Sequence, residues 1–247
     1  MSAHLDYVLA LADDALVSAQ RTSWWISRAP QLEEDVALAN IALDQLGQAR
    51  ALLAHAGRLE DAGRGEDELA YLRDEREFHN VKLVERPQAD FGVAVARLLL
   101  VATWQYELYA ALVDSTDAML AAVAGKAVKE VAYHLDHARQ WTLRLGDGTA
   151  ESARRMQAAV DAEWPYLEEL FEPVDPGLLD AGIAVDPTRL RPAVLLRLEQ
   201  VLAEAALTVP TTGPAVGGGR RGLHTEHLGY LLAEMQHLHR SHPEATW

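Results

Sequence analysis

The sequence contains no cysteine. That excludes disulfides, thiolate metal sites and cysteine nucleophiles. Positive charge is scarce: 22 Lys and Arg stand against 37 Asp and Glu, a net charge of −15 over 247 residues. A nucleic-acid binder needs a basic footprint, and only short Arg pairs are present, so no nucleic-acid partner is predicted. No uncharged apolar run reaches the roughly 18 residues of a membrane span. Phe91 to Val101 comes closest, and Arg97 interrupts it. The N-terminal MSAHLDYVLALADD lacks a basic region and meets acids early, which predicts no signal peptide and a soluble, cytoplasmic protein. Strand-like alternation and internal repeats are also missing.

Ala and Leu dominate instead, and long stretches pass without Gly or Pro. Half the residues are apolar, enough for a sizeable core. The pattern predicts an all-α fold: a ferritin-like four-helix bundle with additional C-terminal helices, forming one domain over 1–247. The core bundle is placed at about 2–145 and the appended helices at about 149–241. The first helix runs from about Ser2 to Ser27 and is stopped by Pro30. The second, about Gln31 to Leu59, carries an apolar stripe of Leu32, Val36, Ala39, Leu43, Leu46 and Leu53. Glu66 to Glu85 is strongly charged and reads as one or two short helices over the surface. The third long helix, about Ala89 to Asp114, is apolar nearly all round from Phe91 to Trp104, which suits the centre of a bundle or a surface shared with another chain. The fourth spans about Ala121 to Leu145. Thr149 caps a fifth that runs to about Phe171, and 173–187 reads as a loop. A sixth covers Thr188 to Leu207, with Thr188 as its candidate N-cap. A Gly/Pro-rich linker at 209–222 precedes a seventh at about Thr225 to Ser241.

The chemistry is concentrated on the fourth long helix. Ala127, Val131, His134, Ala138, Trp141 and Leu145 fall on one face, with Glu130 at its edge. A carboxylate and an imidazole projecting into a helical core form half of a di-iron site. The complete motif wants a carboxylate on each of two helices and a Glu-x-x-His pair on each of the other two. Candidates for the remaining positions are Asp13 on the first helix, Asp44 on the second and Glu107 on the third. The set is degenerate. Glu130 and His134 are spaced i, i+4 rather than i, i+3. In the second helix the buried-looking polar row is Asn40, Asp44 and Gln48, and Gly47 follows Asp44 at the motif spacing. Its one histidine, His55, lies three turns away. Lys126, Arg97, Tyr133 and Asn40 offer cations and donors that satisfy buried acids without a metal. A metal-free polar core is therefore preferred, with no catalytic residue assigned. The rival reading is a di-iron carboxylate oxygenase or metal-binding bundle in its own right, using Asp13, Asp44, Glu107, Glu130 and His134.

Other polar and aromatic features have simpler readings. Gly217-Gly218-Gly219-Arg220-Arg221 offers backbone N–H groups and two Arg for a phosphate, such as those of coenzyme A, but reads more simply as a linker or a docked loop. His224 with His227, and His237 with His239, could hold a metal only with carboxylate partners close by, and read as surface or interface residues. Trp24, Trp25, Trp104 and Trp141 read as core or interface anchors.

Several segments carry a resemblance. Val36–Arg50 (VALANIALDQLGQAR), Ala70–Pro87 (AYLRDEREFHNVKLVERP), Lys126–Leu145 with the following GDGT, Gly182–Pro187 (GIAVDP), Arg221–Gln236 (RGLHTEHLGYLLAEMQ) and the closing Trp247 resemble, in order, signatures of the C subunits of phenylacetyl-CoA 1,2-epoxidases. The resemblance implies a bacterial multicomponent monooxygenase acting in aerobic phenylacetate breakdown. It implies a partner A subunit that holds the di-iron centre, and a reductase that uses NADPH, FAD and an iron–sulfur cluster. It implies that this chain shares the ferritin-like fold, holds no cofactor itself and stabilises the A subunit, through hetero-oligomers with that subunit and further subunits or through self-association.

Overall fold

A computed structural model describes residues 2–243 and 245; Met1 and Trp247 lie outside the described residues. In chain order the helices are α1 (Ala3–Ser23), α2 (Leu32–Glu60), α3 (Glu66–Tyr71), α4 (Lys82–Glu85), α5 (Phe91–Leu112), α6 (Ala118–Gly146), α7 (Ala150–Glu163), α8 (Pro176–Asp180), α9 (Pro187–Glu204) and α10 (Glu226–Ser241). Short 3₁₀ segments lie at Glu75–Glu77, Trp164–Phe171 and Gly219–Arg221. The described residues form no strand. The fold is all-α, consistent with the ferritin-like class.

The helix ends follow side-chain chemistry. Ser2, Asp90, Asp117, Thr149 and Thr225 each accept a hydrogen bond from a first-turn backbone N–H. For α9 the cap is Asp186, not Thr188: its carboxylate accepts from the Thr188 N–H at 3.0 Å and from the Thr188 hydroxyl at 2.6 Å, with Pro187 in the first turn.

The chain divides into two compact units, 1–87 with 217–247, and 88–216. α10 groups with the N-terminal helices, and the helices from α5 to α9 form the second unit. In the first unit α1 and α2 pack along their length, joined by the 24–31 connection and closed at the far end by an edge contact between His4 and His55, ring centroids 6.0 Å apart. α10 packs on α3 and α4 through Leu228, Leu231 and Leu232.

The buried face of α2 differs from the expected stripe. Leu38, Ile41, Ala42, Gln45, Gln48, Ala49, Leu52 and Leu53 are buried, whereas Leu32, Val36, Leu43 and Leu46 are exposed and Ala39 is half-buried. The helix is apolar on two faces, and α1 covers only one of them. The 66–85 stretch also departs from expectation. Leu69, Phe78, Val81, Leu83 and Val84 are core residues, and the charged Arg73 and Glu85 are fully enclosed.

In the second unit α5 is buried on nearly every side, as its composition predicts. It packs against α6, α7 and α9. Val95, Ala96, Met156, Ala159, Val160, Leu202 and Ala205 form one cluster, and Trp141 meets Phe91 edge-on at 4.9 Å on its rim.

Candidate functional site

Two adjacent acids in an apolar stretch of α1 define the polar centre of the first unit. Asp13 and Asp14 lie within the run Leu9–Val17 of α1 and are buried. A buried carboxylate must be paired, and both are. The Arg73 guanidinium makes a two-point contact with Asp13, one N–H···O bond at 3.0 Å, and also donates to the carbonyls of Leu69 and Glu77. The His79 backbone N–H donates to the same carboxylate at 2.8 Å. Phe78 lies under the Arg73 guanidinium, 4.2 Å from cation to ring centroid. Asp14 accepts from the Arg220 guanidinium at 2.7 Å and from the Val81 N–H at 2.9 Å. Burial raises the Asp14 carboxyl from 3.8 to about 6, against the lowering pull of Arg220.

Arg220 also donates to the carbonyls of Ala10 and His79, at 3.1 and 3.0 Å. Lys82 donates to the Gly217 carbonyl at 3.0 Å. Gly222 takes a positive φ of 71° where an added Cβ would strike the backbone of Arg76. The glycine-rich segment is thus a docked loop. Its Arg220 is committed to the protein's own acid, which overturns the phosphate reading there.

Glu85 extends the network. It is fully buried and accepts from the Asn80 amide at 2.8 Å, the Thr225 N–H at 2.5 Å and the His224 ring at 2.8 Å. The second His224 nitrogen faces the Phe78 carbonyl at 2.9 Å. Both ring nitrogens therefore face acceptors. Burial opposes charging this ring, but the hydrogen bond and charge of Glu85 outweigh it and raise its pKa above 6.5. The reading of His224 as a surface residue without a carboxylate partner is corrected: its side chain is enclosed, and Glu85 is the partner, 139 residues away in sequence. Together these pairs clasp α1, the 69–85 segment and the start of α10. Within this network the Asp13, Asp14 and Glu85 carboxylates all accept from internal donors, while His79 Nε2 and Asn80 Oδ1 are buried without a hydrogen-bond partner.

The candidate metal residues fare as follows. In the first unit Asp13 is held by Arg73, and Asp44 is half-buried on the flank of α2. The buried polar register of α2 is one residue on from Asp44, at Gln45 and Gln48, and Asn40 is exposed rather than buried. Gln45 and Gln48 have the i, i+3 spacing of Glu-x-x-His, with neutral amides in place of carboxylate and imidazole. In the second unit Glu107 is paired with Arg197 at 2.7 Å, and the enclosed polar residue two positions earlier on α5 is Gln105. His134 is buried as expected. The residue three before it is Val131, also buried, while Glu130 turns outward to Lys126 at 2.7 Å. Arg97 pairs with Glu163 at 2.9 Å, not with an acid of its own helix.

A bridged pair of cations needs carboxylates to neutralise it. In the first unit the buried α2 residues at that spacing are the neutral Gln45 and Gln48, and Asp13 is held by Arg73. In the second unit Gln105, Val131 and His134 are buried, and Glu107 and Glu130 are held by Arg197 and Lys126. Neither set by itself fits a bridged pair of cations. A search of the sequence for polar residues at i, i+3 on the second and fourth long helices would have found Gln45-x-x-Gln48 and exposed the valine. The clasp pairs gave no local signal beyond two adjacent acids in an apolar run.

The fold defines an all-helical protein of the ferritin-like class. The chain belongs to the phenylacetic acid catabolic protein family, which it matches over residues 1–247. It is 47% identical over 244 residues to the C subunit of the 1,2-phenylacetyl-CoA epoxidase of Escherichia coli (strain K12), with 98% of each chain covered. No helix of the described residues is long and apolar enough to cross a membrane.

Proposed function

We propose that this chain is the non-catalytic, structural subunit of a phenylacetyl-CoA epoxidase complex in cytoplasmic phenylacetate catabolism. In this reading the di-iron centre sits in the catalytic A subunit, and a reductase delivers electrons from NADPH through FAD and an iron–sulfur cluster. This chain holds none of these groups and stabilises the A subunit. The likeness to the C subunit of an epoxidase supports the choice of complex. The observation that supports the non-catalytic role is that candidate acids in each unit are held by the chain's own cations, Asp13 by Arg73, Glu107 by Arg197 and Glu130 by Lys126. An acid so paired has little charge left to balance two bridged cations.

Reconstitution tests the role. With reductase, NADPH, dioxygen and phenylacetyl-CoA, the chain alone should form no epoxide. Adding it to the A subunit should raise both the yield of folded A subunit and the epoxidation rate. Turnover by this chain with reductase alone would refute the assignment.

A further inference from the structure

The two ends of α10 are fastened to the first unit by different chemistry. At the far end the Gln236 amide donates to the carbonyls of Ala70 and Arg73, at 3.1 and 3.0 Å, and Arg240 donates to the carbonyls of Tyr71 and Arg73. Arg240 also meets Asp74 at 3.2 Å, and His239 stacks on Tyr71 with ring centroids 4.8 Å apart. An amide bonded to carbonyls does not change charge with pH. Midway, Leu228, Leu231 and Leu232 add apolar contact, which is equally indifferent to protons.

The near end depends on one proton. The His224 side chain has no solvent contact, and its two nitrogens face the Glu85 carboxylate and the Phe78 carbonyl. An imidazolium donates to both. A neutral imidazole has one N–H and leaves one of these acceptors facing a lone pair. Enclosure leaves no solvent to replace the lost bond. Glu85 also accepts from the N–H of Thr225, the residue that caps α10, so the ring and the helix start share one anchor. The charged groups around the ring come from each neighbouring element. α4 brings Glu85, and the Glu75–Glu77 segment brings Glu75, whose charge also favours the protonated ring. α1 brings Arg21, which donates to the carbonyls of Glu85 and His227 at 2.9 and 3.0 Å, and Asp14, which holds Arg220 of the preceding loop. Lys82 holds the same loop at Gly217, and His79 faces the Arg220 carbonyl at 3.0 Å. Asp14 titrates near 6, below the range in which His224 releases its proton.

We propose that His224 is a proton-controlled latch: the charged ring pins the start of α10 to Glu85 and Phe78, and loss of its proton lets residues 219–230 open locally while α1 stays folded. Glu85 holds the folded ring's pKa above 6.5, so closure is strongest below 6.5 and weakens as pH rises from there through the folded value. A single proton limits the change to about tenfold in the opening equilibrium per pH unit.

Hydrogen exchange of the full-length chain tests it, read by mass spectrometry from about pH 6 to about pH 9 and corrected for the intrinsic rate. A parallel NMR titration of the histidine ring carbons reports where His224 loses its proton. Wild-type protection of 219–230 should fall from about pH 6.5 upward, by up to about tenfold per pH unit, and level off once the ring is neutral. Above about pH 6.5, 219–230 should exchange at least about tenfold faster than α1, which marks opening short of unfolding. In His224→Gln the fall should vanish. In His237→Gln, at an exposed histidine of the same helix, it should persist. Flat protection of 219–230 while His224 titrates would overturn the latch. Exchange of 219–230 at the rate of α1 would overturn it too, since that is unfolding of the whole unit, and so would a fall that survives His224→Gln. Should His224→Gln fail to fold, the wild-type comparison of 219–230 with α1 still decides.

Discussion

Arg73→Met removes the cation from the centre of the clasp and leaves Asp13 buried. Arg73 is the largest fully enclosed side chain of the described residues, and Asp13 has no solvent contact. Met keeps much of the volume and the contact with Phe78, so the loss is mainly electrostatic. Breaking one side of a buried ion pair costs about 3–5 kcal/mol. Against a total stability of about 5–15 kcal/mol this is large, and for a chain of this size it corresponds to a fall in melting temperature of about 6–20 °C. Asp13→Asn alone should also destabilise, because Arg73 then lacks its counter-charge. The double variant Asp13→Asn with Arg73→Met leaves no charge behind, and the Asn oxygen still accepts from the His79 N–H. It should be more stable than the sum of the single costs by about 2 kcal/mol. Urea unfolding followed by circular dichroism gives all three values. Strict additivity, or a cost below about 1 kcal/mol for Arg73→Met, would refute the clasp as a source of stability.

Three further outcomes follow from the same geometry. Folded Asp14 binds its proton more tightly than the unfolded carboxyl, so its contribution to stability falls as pH rises from about 4 to about 6. Stability of wild type minus that of Asp14→Asn, titrated by urea unfolding, should decline over that window. His224, raised above 6.5 by Glu85, contributes stability that is complete below that value and is lost as pH rises through its folded pKa; wild type minus His224→Gln should show this in the same titration. His134→Ala opens a gap in the core of the second unit and should cost about 2–4 kcal/mol. Epoxidation per assembled complex should stay within a few-fold of wild type, whereas a fall by orders of magnitude with assembly intact would mark His134 as functional.

The seven longer helices and their approximate bounds were legible because long apolar periodicity and capping residues act locally; the short α8 (Pro176–Asp180) lies in the stretch read as a loop, and Trp164–Phe171 is a 3₁₀ segment where the fifth helix was expected to continue. The burial of α5 and of His134 was legible for the same reason. The face of α2 was not. A helix with apolar residues on both sides does not reveal which side its own chain covers: Leu32, Val36, Leu43 and Leu46 of the expected stripe are exposed, while its Leu53 is buried. The 66–85 stretch was misread because charge usually marks solvent. Here Arg73 and Glu85 are enclosed, and their partners Asp13 and His224 lie 60 and 139 residues away. Spacing rules carry no information at that range. Asp44, Glu107 and Glu130 were plausible ligands by composition, yet each sits one or two residues from the enclosed register of its helix, where Gln45, Gln105 and Val131 stand.

The central claim is that this chain is a ferritin-like subunit without a working metal centre, and metal content addresses it most directly. The full-length protein, expressed in iron-supplemented medium and purified without chelator, would be assayed for iron by mass spectrometry. Far below one iron per chain is expected. About two irons per chain, the complement of a carboxylate-bridged site, would contradict the account.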